Sequence, residues 1–210
     1  MAARWFGAAA IGAALCVAAL PSLSAADAAK AAETPTKKKT PDVIYVPTPQ
    51  SVVDKMLEMA EVKKSDVVYD LGCGDGRIVV TAAKKYGVKS IGYDIDPQRV
   101  KEARENVKAA GVEHLVQIHE QDIFTLDLRE ASVVMLYLLP TLNVRLMPQL
   151  AVLKKGSRIL SHDFDMQGAK PVAVHRMNAL GGPGGEEEGE IEHTIYKWIV
   201  PWESDDPAKK

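Results

Sequence analysis

The chain has 210 residues, 47% hydrophobic and 26% charged, with a formal net charge of -2. That length suits one compact domain, and the balance excludes a wholly disordered chain, a multi-span membrane protein and a dedicated basic nucleic-acid binder. Cys16 and Cys73 are the two cysteines, too few for a disulfide framework.

Residues 1–26 read as a signal peptide or N-terminal anchor. Arg4 precedes an unbroken apolar run from Trp5 to Leu20, and Pro21 to Ala26 places small residues where a signal peptidase cuts, after Ser24 or Ala26. The run falls short of the ~20 residues that span a bilayer comfortably, so cleavage is the stronger expectation. Residues 27–41, rich in Ala, Lys, Thr and Pro, read as a flexible linker. The folded domain is expected over 42–203, with 204–210 as a disordered tail.

Within that domain strands and helices alternate. Val67 to Asp70 is a β-branched run that ends in a glycine-rich turn, and Ile78 to Tyr86 carries helical spacing and stops at Gly87. A second strand, Ser90 to Asp94, leads to a helix opened by Pro97 and closed at Gly111. Leu115 to His119 and the fully apolar Val133 to Leu139 give a third and a fourth strand. A helix over Asn143 to Leu153, kinked or delayed by Pro148, precedes the fifth strand, Arg158 to Ser161. Pro171 to Met177 and Ile191 to Val200 flank Gly181 to Gly185 with no helix between them, and so should pair as an antiparallel hairpin. The expected fold is α/β: a three-layer, doubly wound, seven-stranded and mostly parallel sheet with a C-terminal antiparallel hairpin.

The segment Asp70-Leu71-Gly72-Cys73-Gly74-Asp75-Gly76-Arg77 carries the chemistry. Glycines after a buried strand let the backbone turn tightly and approach a ligand closely. A dinucleotide fingerprint needs G-x-G-x-x-G, but Arg77 stands in the sixth place. Asp70 would repel a pyrophosphate; it suits a ligand with an ammonium and a sulfonium, which is S-adenosylmethionine. Asp94 lies 24 positions on, near the ~20-residue offset at which a carboxylate grips a ribose diol, while Asp96 before Pro97 fits a helix cap. Asp122 can accept from an adenine amino group and Ile123 can pack on its ring.

These segments, in this order and spacing, resemble the first three motifs of class I S-adenosylmethionine-dependent methyltransferases, whose sheet is Rossmann-like. Tyr45-Val46-Pro47-Thr48-Pro49, the run from Asp70 to Val79 and the ending Thr194-Ile195-Tyr196-Lys197-Trp198 resemble more closely the small protein-lysine methyltransferases of the ATP synthase c-subunit and adenine nucleotide carrier type. The acid after the second strand, usually Glu in that group, is Asp94 here. His162-Asp163-Phe164-Asp165 stands where that group carries an Arg-Phe-Pro type of segment. The resemblance implies S-adenosyl-L-methionine held by Tyr45, Val46, Pro47, Thr48, Asp70, Leu71, Gly72, Cys73, Gly74, Gly76, Asp94, Ile95, Asp122 and Ile123. It implies an acceptor, such as a protein lysine. The end of the fourth strand is where that acceptor would meet the methyl group, so Tyr137 is either its positioning residue or a core tyrosine, and Pro140 beside it is a candidate substrate contact. Asp163 after the fifth strand either holds a cationic substrate or belongs to a solvated turn.

No metal site is expected, because His114 and His119 fall at the wrong parity for one strand face and His162-Asp163 has no partner in the sequence. No nucleic-acid partner is expected either; membrane association would come through the leader. A small-molecule methyltransferase and a non-catalytic binding module of the cell envelope remain as alternatives. The leader points to export or to the membrane of the cell envelope or periplasm. A domain facing the cytosol would instead sit where S-adenosylmethionine is made.

Overall fold

The structure, a computed structural model, describes residues 44–180 and 189–205. The leader, the whole linker, residues 42–43, residues 181–188 with their glycine run and the last five residues lie outside the described residues. Helices α1 (Gln50–Met59), α2 (Arg77–Tyr86), α3 (Pro97–Ala109) and α4 (Pro140–Leu150) surround strands β1 (Val67–Leu71), β2 (Lys89–Asp94), β3 (Val116–Glu120), β4 (Val133–Leu136), β5 (Arg158–His162), β7 (Ala173–Leu180) and β8 (Glu190–Ile199). These seven strands form one sheet in the order β3-β2-β1-β4-β5-β8-β7, parallel from β3 to β5. β8 runs antiparallel to both β5 and β7, giving the expected hairpin. Two short strands, β6 (Ala169–Lys170) and β9 (Glu203–Ser204), pair separately. Ser204 therefore belongs to a ladder, one residue beyond the expected end of the domain at 203.

The central strands β1 and β4 are almost wholly buried, as parallel strands covered on both faces must be. Side-chain alternation divides the core. Val68 and Leu160 face α1 and α2, where Val52, Val53, Met56 and Ala82 pack on them. Tyr69, Leu71 and Ile159 face the opposite layer with Leu146, Leu150 and Trp198. The Asp66 carboxylate accepts from the Arg158 guanidinium and the Ser132 hydroxyl, joining the α1–β1 loop to β4 and β5.

The boundaries of β4, α4 and β7 differ from the sequence reading, β7 spanning Ala173–Leu180 rather than Pro171–Met177. β4 ends at Leu136, three residues before the expected Leu139. α4 starts at Pro140 rather than Asn143 and ends at Leu150 rather than Leu153. Pro140 takes the first helical turn, where a missing N–H costs nothing, and Pro148 sits in the last turn, where only one ladder bond is lost. Tyr137 to Leu139 consequently leave the sheet at its carboxyl edge.

Candidate active site at the strand carboxyl ends

A cleft opens beyond the carboxyl ends of β1, β2, β3 and β4, lined from the loops that follow them and from Ile44 to Thr48. The sheet order reverses between β1 and β4, the switch point at which open α/β sheets bind ligands. The turn after β1 needs glycine at two points. Gly72 has φ +86, and a Cβ there would lie 3.1 Å from Leu138. Gly74 has φ +54, and a Cβ would run into the Tyr45 ring.

Asp70 and Asp94 form the acidic floor. Asp70 is 3% exposed, and no hydrogen bond to its carboxylate is found among the described residues. Burial, followed by the charges of Asp94 and Asp75, pushes its pKa up to about 8. Asp94 accepts from the Gly74 N–H at 2.9 Å through Oδ2 and from the Asp96 N–H at 2.9 Å through Oδ1. Each oxygen keeps a second lone pair for a ligand hydroxyl. Asp96 caps α3 by accepting from Gln98, as its place before Pro97 suggested. Asp122 starts a 3-10 turn by accepting from Phe124 and also lines the cleft.

The Tyr45–Thr48 segment lies across the cleft and is held from three sides. Arg77 forks onto Asp75 and donates from Nη1 to the Thr48 carbonyl at 2.8 Å. The Arg99 guanidinium lies 4.7 Å from the Tyr45 ring centroid. Burial and the charge of the neighbouring Asp75 carboxylate push the Tyr45 pKa up to about 12. Thr48, which is buried, meets His162 Nδ1 at 3.2 Å through its Oγ1.

Of the residues expected to hold the cofactor, Tyr45, Val46, Pro47, Thr48, Asp70, Gly72, Cys73, Asp94, Ile95, Asp122 and Ile123 line this one cleft. Three do not. Leu71 follows Asp70 on the strand and so points into the opposite core layer. Gly74 acts through its N–H and its lack of a side chain, and Gly76 gives the left-handed residue before α2, packed on Ala103. Cys73 is a buried small residue against Gly92, its thiol pushed well up by burial.

Tyr137 lines the cleft, half-buried beside the rings of His162 (4.0 Å between centroids) and Phe164 (6.0 Å). Pro140 and Asp163, expected to touch substrate, are not among the lining residues: Pro140 opens α4, and Asp163 has φ +57 and is tied to β8. Its Oδ1 accepts from the Thr194 N–H at 2.8 Å and its Oδ2 lies 3.2 Å from His193 Nδ1. Sequence reasoning missed the roles of Arg77 and Arg99, and it missed His193 altogether, which is 31 residues from His162 and brought beside it only by the β5–β8 pairing.

The acids Asp70, Asp75, Asp94, Asp96 and Asp122 outnumber the cations Arg77 and Arg99 on the cleft wall. An acidic floor beneath a glycine cradle fits a cationic ligand with a ribose, and the donor set fits S-adenosylmethionine.

Comparison with known proteins agrees with this chemistry. Residues 70–173 match the family model described as the ANTKMT methyltransferase domain. A protein-lysine N-methyltransferase of Saccharolobus islandicus is 42% identical over 162 residues, covering 76% of this chain and 95% of that one. The adenine nucleotide translocase lysine N-methyltransferase of Mus musculus is 34% identical over 134 residues, covering 63% of this chain and 58% of that one. A crystal structure of an RNA methyltransferase from Salinibacter ruber, in complex with S-adenosyl-L-homocysteine, superposes with TM-score 0.66 at 46% identity, covering 77% of this chain and 97% of that one.

Proposed function

Because the chain belongs to the ANTKMT methyltransferase domain family and is an S-adenosylmethionine-dependent methyltransferase, we propose that its methyl acceptor is a protein lysine amine, presented to the cleft at Tyr137. The observation that carries this reading is the setting of Tyr137, on the wall of an acidic cleft and beside two aromatic rings. The names of the Saccharolobus and mouse relatives support the choice of lysine.

The bound cofactor supplies a methyl carbon already activated by its sulfonium. The chain's own work is to hold and align. Asp70 takes the cofactor's ammonium, Gly72 allows the close backbone approach, Asp94 takes the ribose hydroxyls, and Asp122 with Ile123 takes the adenine. The Tyr45–Thr48 segment covers them and excludes water, and alignment of this kind supplies up to ~7–11 kcal/mol of a bimolecular barrier. An attacking amine must be neutral. The Tyr137 phenol, held protonated by burial and the Asp163 charge, can accept a hydrogen bond from such an amine and orient its lone pair.

Cell extract of the native host, incubated with the full chain and methyl-labelled S-adenosylmethionine, tests the acceptor. Label that survives ribonuclease, is released by protease and is recovered as methyl-lysine supports the proposal. Label recovered in RNA, as the description of the Salinibacter neighbour would suggest, overturns it.

The leader reading of residues 1–26 is a separate proposal, supported by the single Arg4 before an apolar run. It places the chain at the cell envelope, and an uncleaved leader would hold the domain at the membrane. N-terminal sequencing of C-terminally tagged protein from the native host decides it: a start at Ala25 or Asp27 means cleavage, and a start at Met1 means retention.

A further inference from the structure

Beside the cleft, three potential metal ligands converge. His162 ends β5, Asp163 follows it, and His193 reaches them from β8 on the same sheet face, two residues from Ile195, the residue that pairs with His162. His162 Nε2 lies 2.9 Å from His193 Nδ1, and Asp163 Oδ2 lies 3.2 Å from each. His162 and His193 are 0% and 2% exposed.

With Asp163 ionised, protons alone do not satisfy this triangle. Each imidazole nitrogen can offer one proton at most, and there are three contacts to serve. If both rings turn an N–H inward, the two N–H groups face each other across the 2.9 Å contact. If only one does, a nitrogen lone pair faces the Asp163 carboxylate at 3.2 Å. A cation at the centre accepts all three lone pairs together. Metal–ligand lengths of about 2.0–2.2 Å place neighbouring ligands roughly 3.0–3.5 Å apart, which is the size of this triangle.

We propose that His162 Nε2, His193 Nδ1 and Asp163 Oδ2 bind one divalent transition-metal ion of the zinc class. Two imidazoles and one carboxylate suit zinc or ferrous iron and disfavour magnesium or calcium, which take oxygen ligands. Two of the three ligands have an outer contact: Thr48 Oγ1 stands 3.2 Å from His162 Nδ1, where it accepts that ring's proton and fixes the tautomer, whereas His193 Nε2 is buried with no hydrogen-bond partner among the described residues. The Thr194 N–H holds the other oxygen of Asp163. The ion would tie the end of β5 to β8, steady the His162 ring against Tyr137, and reach the Tyr45–Thr48 segment through Thr48. The acceptor wall and the cofactor cover would thus share one support.

The test uses the full chain without a histidine tag, stripped by chelator and titrated with Zn2+ by calorimetry and with Co2+ by visible absorption. One equivalent bound, with Co2+ d–d bands, is expected. His193→Ala and Asp163→Asn should weaken binding by roughly a hundredfold or more, since even outer-shell changes cost about 10–100-fold, while His114→Ala, at an exposed histidine, should not. Absence of a one-to-one complex in the unaltered chain overturns the proposal, as does equal binding in folded His193→Ala. The stoichiometry and Co2+ spectrum are read on the unaltered chain, so a variant that fails to fold does not decide the outcome.

Discussion

Asp70 is the residue on which cofactor choice turns. Its carboxyl is buried at the strand end and titrates near 8 instead of near 3.8. A carboxyl raised in the folded state stabilises fully below its unfolded pKa, and that contribution is lost as pH rises through the folded value. The ligand-free chain should therefore lose stability between about pH 4 and pH 8 through this group. Asp70→Asn removes the loss, so its melting temperature relative to the parent should be higher at pH 8 than at pH 5. An ammonium favours the ionised carboxyl, and S-adenosylhomocysteine should bind up to about tenfold tighter per pH unit from pH 6 to 8. Calorimetry across that range should show the slope in the parent and a flat, weaker profile in the Asn variant. Gly74 is the second such residue. Its left-handed φ and the Tyr45 ring at the site of any Cβ mean that Gly74→Ala should cost about 1–3 kcal/mol in stability, as a left-handed non-glycine residue does. It should also weaken S-adenosylhomocysteine binding about tenfold or more by displacing the ring, read by thermal melting and calorimetry on the same preparation.

Among the elements, the Tyr45–Thr48 segment depends most on tertiary contacts. It has no ladder or helix of its own, and Arg77 holds it through the Thr48 carbonyl while gripping Asp75. Arg77 entered the sequence reading only as the residue that breaks a dinucleotide fingerprint. Arg77→Ala should leave the core intact yet weaken S-adenosylhomocysteine binding about tenfold, chiefly through faster dissociation in stopped-flow traces. Arg77→Lys should recover little, because an ammonium cannot fork onto Asp75 and reach the carbonyl together. A variant that unfolds at the parent's melting temperature but binds as the parent does would show that this anchor is not needed. Most strands and helices could be read from periodicity, glycines and prolines, since those signals are local. The end of β4 could not: Tyr137 to Leu139 are as strand-like as Leu136, and only the start of α4 at Pro140 takes them out of the sheet.

The whole molecule is held by two core layers on one sheet, and the layer under α4 gathers around Trp198. That side chain is fully buried and donates from Nε1 to the Ala169 carbonyl at 2.8 Å, joining β8 to the short β6–β9 pair. Trp198→Ala should cost about 3–5 kcal/mol in chemical denaturation, the usual range for a buried tryptophan. Trp198→Phe should cost less, with a part of about 1 kcal/mol set by the lost hydrogen bond. An exposed Trp198 fluorophore in the native chain would contradict this packing.

The order of strands and helices, the glycine turn, the acids Asp70, Asp94 and Asp122 and the family they indicate follow from the sequence by itself. Each rests on spacing within a short stretch of chain, where backbone geometry and side-chain chemistry act locally. Tertiary structure decided which of those residues face the cleft, because strand alternation sends Leu71 away from Asp70. It decided how Arg77 and Arg99 hold the cover. It also gave His162 and Asp163 the partner His193, since contact across an antiparallel pair depends on register and not on distance along the chain.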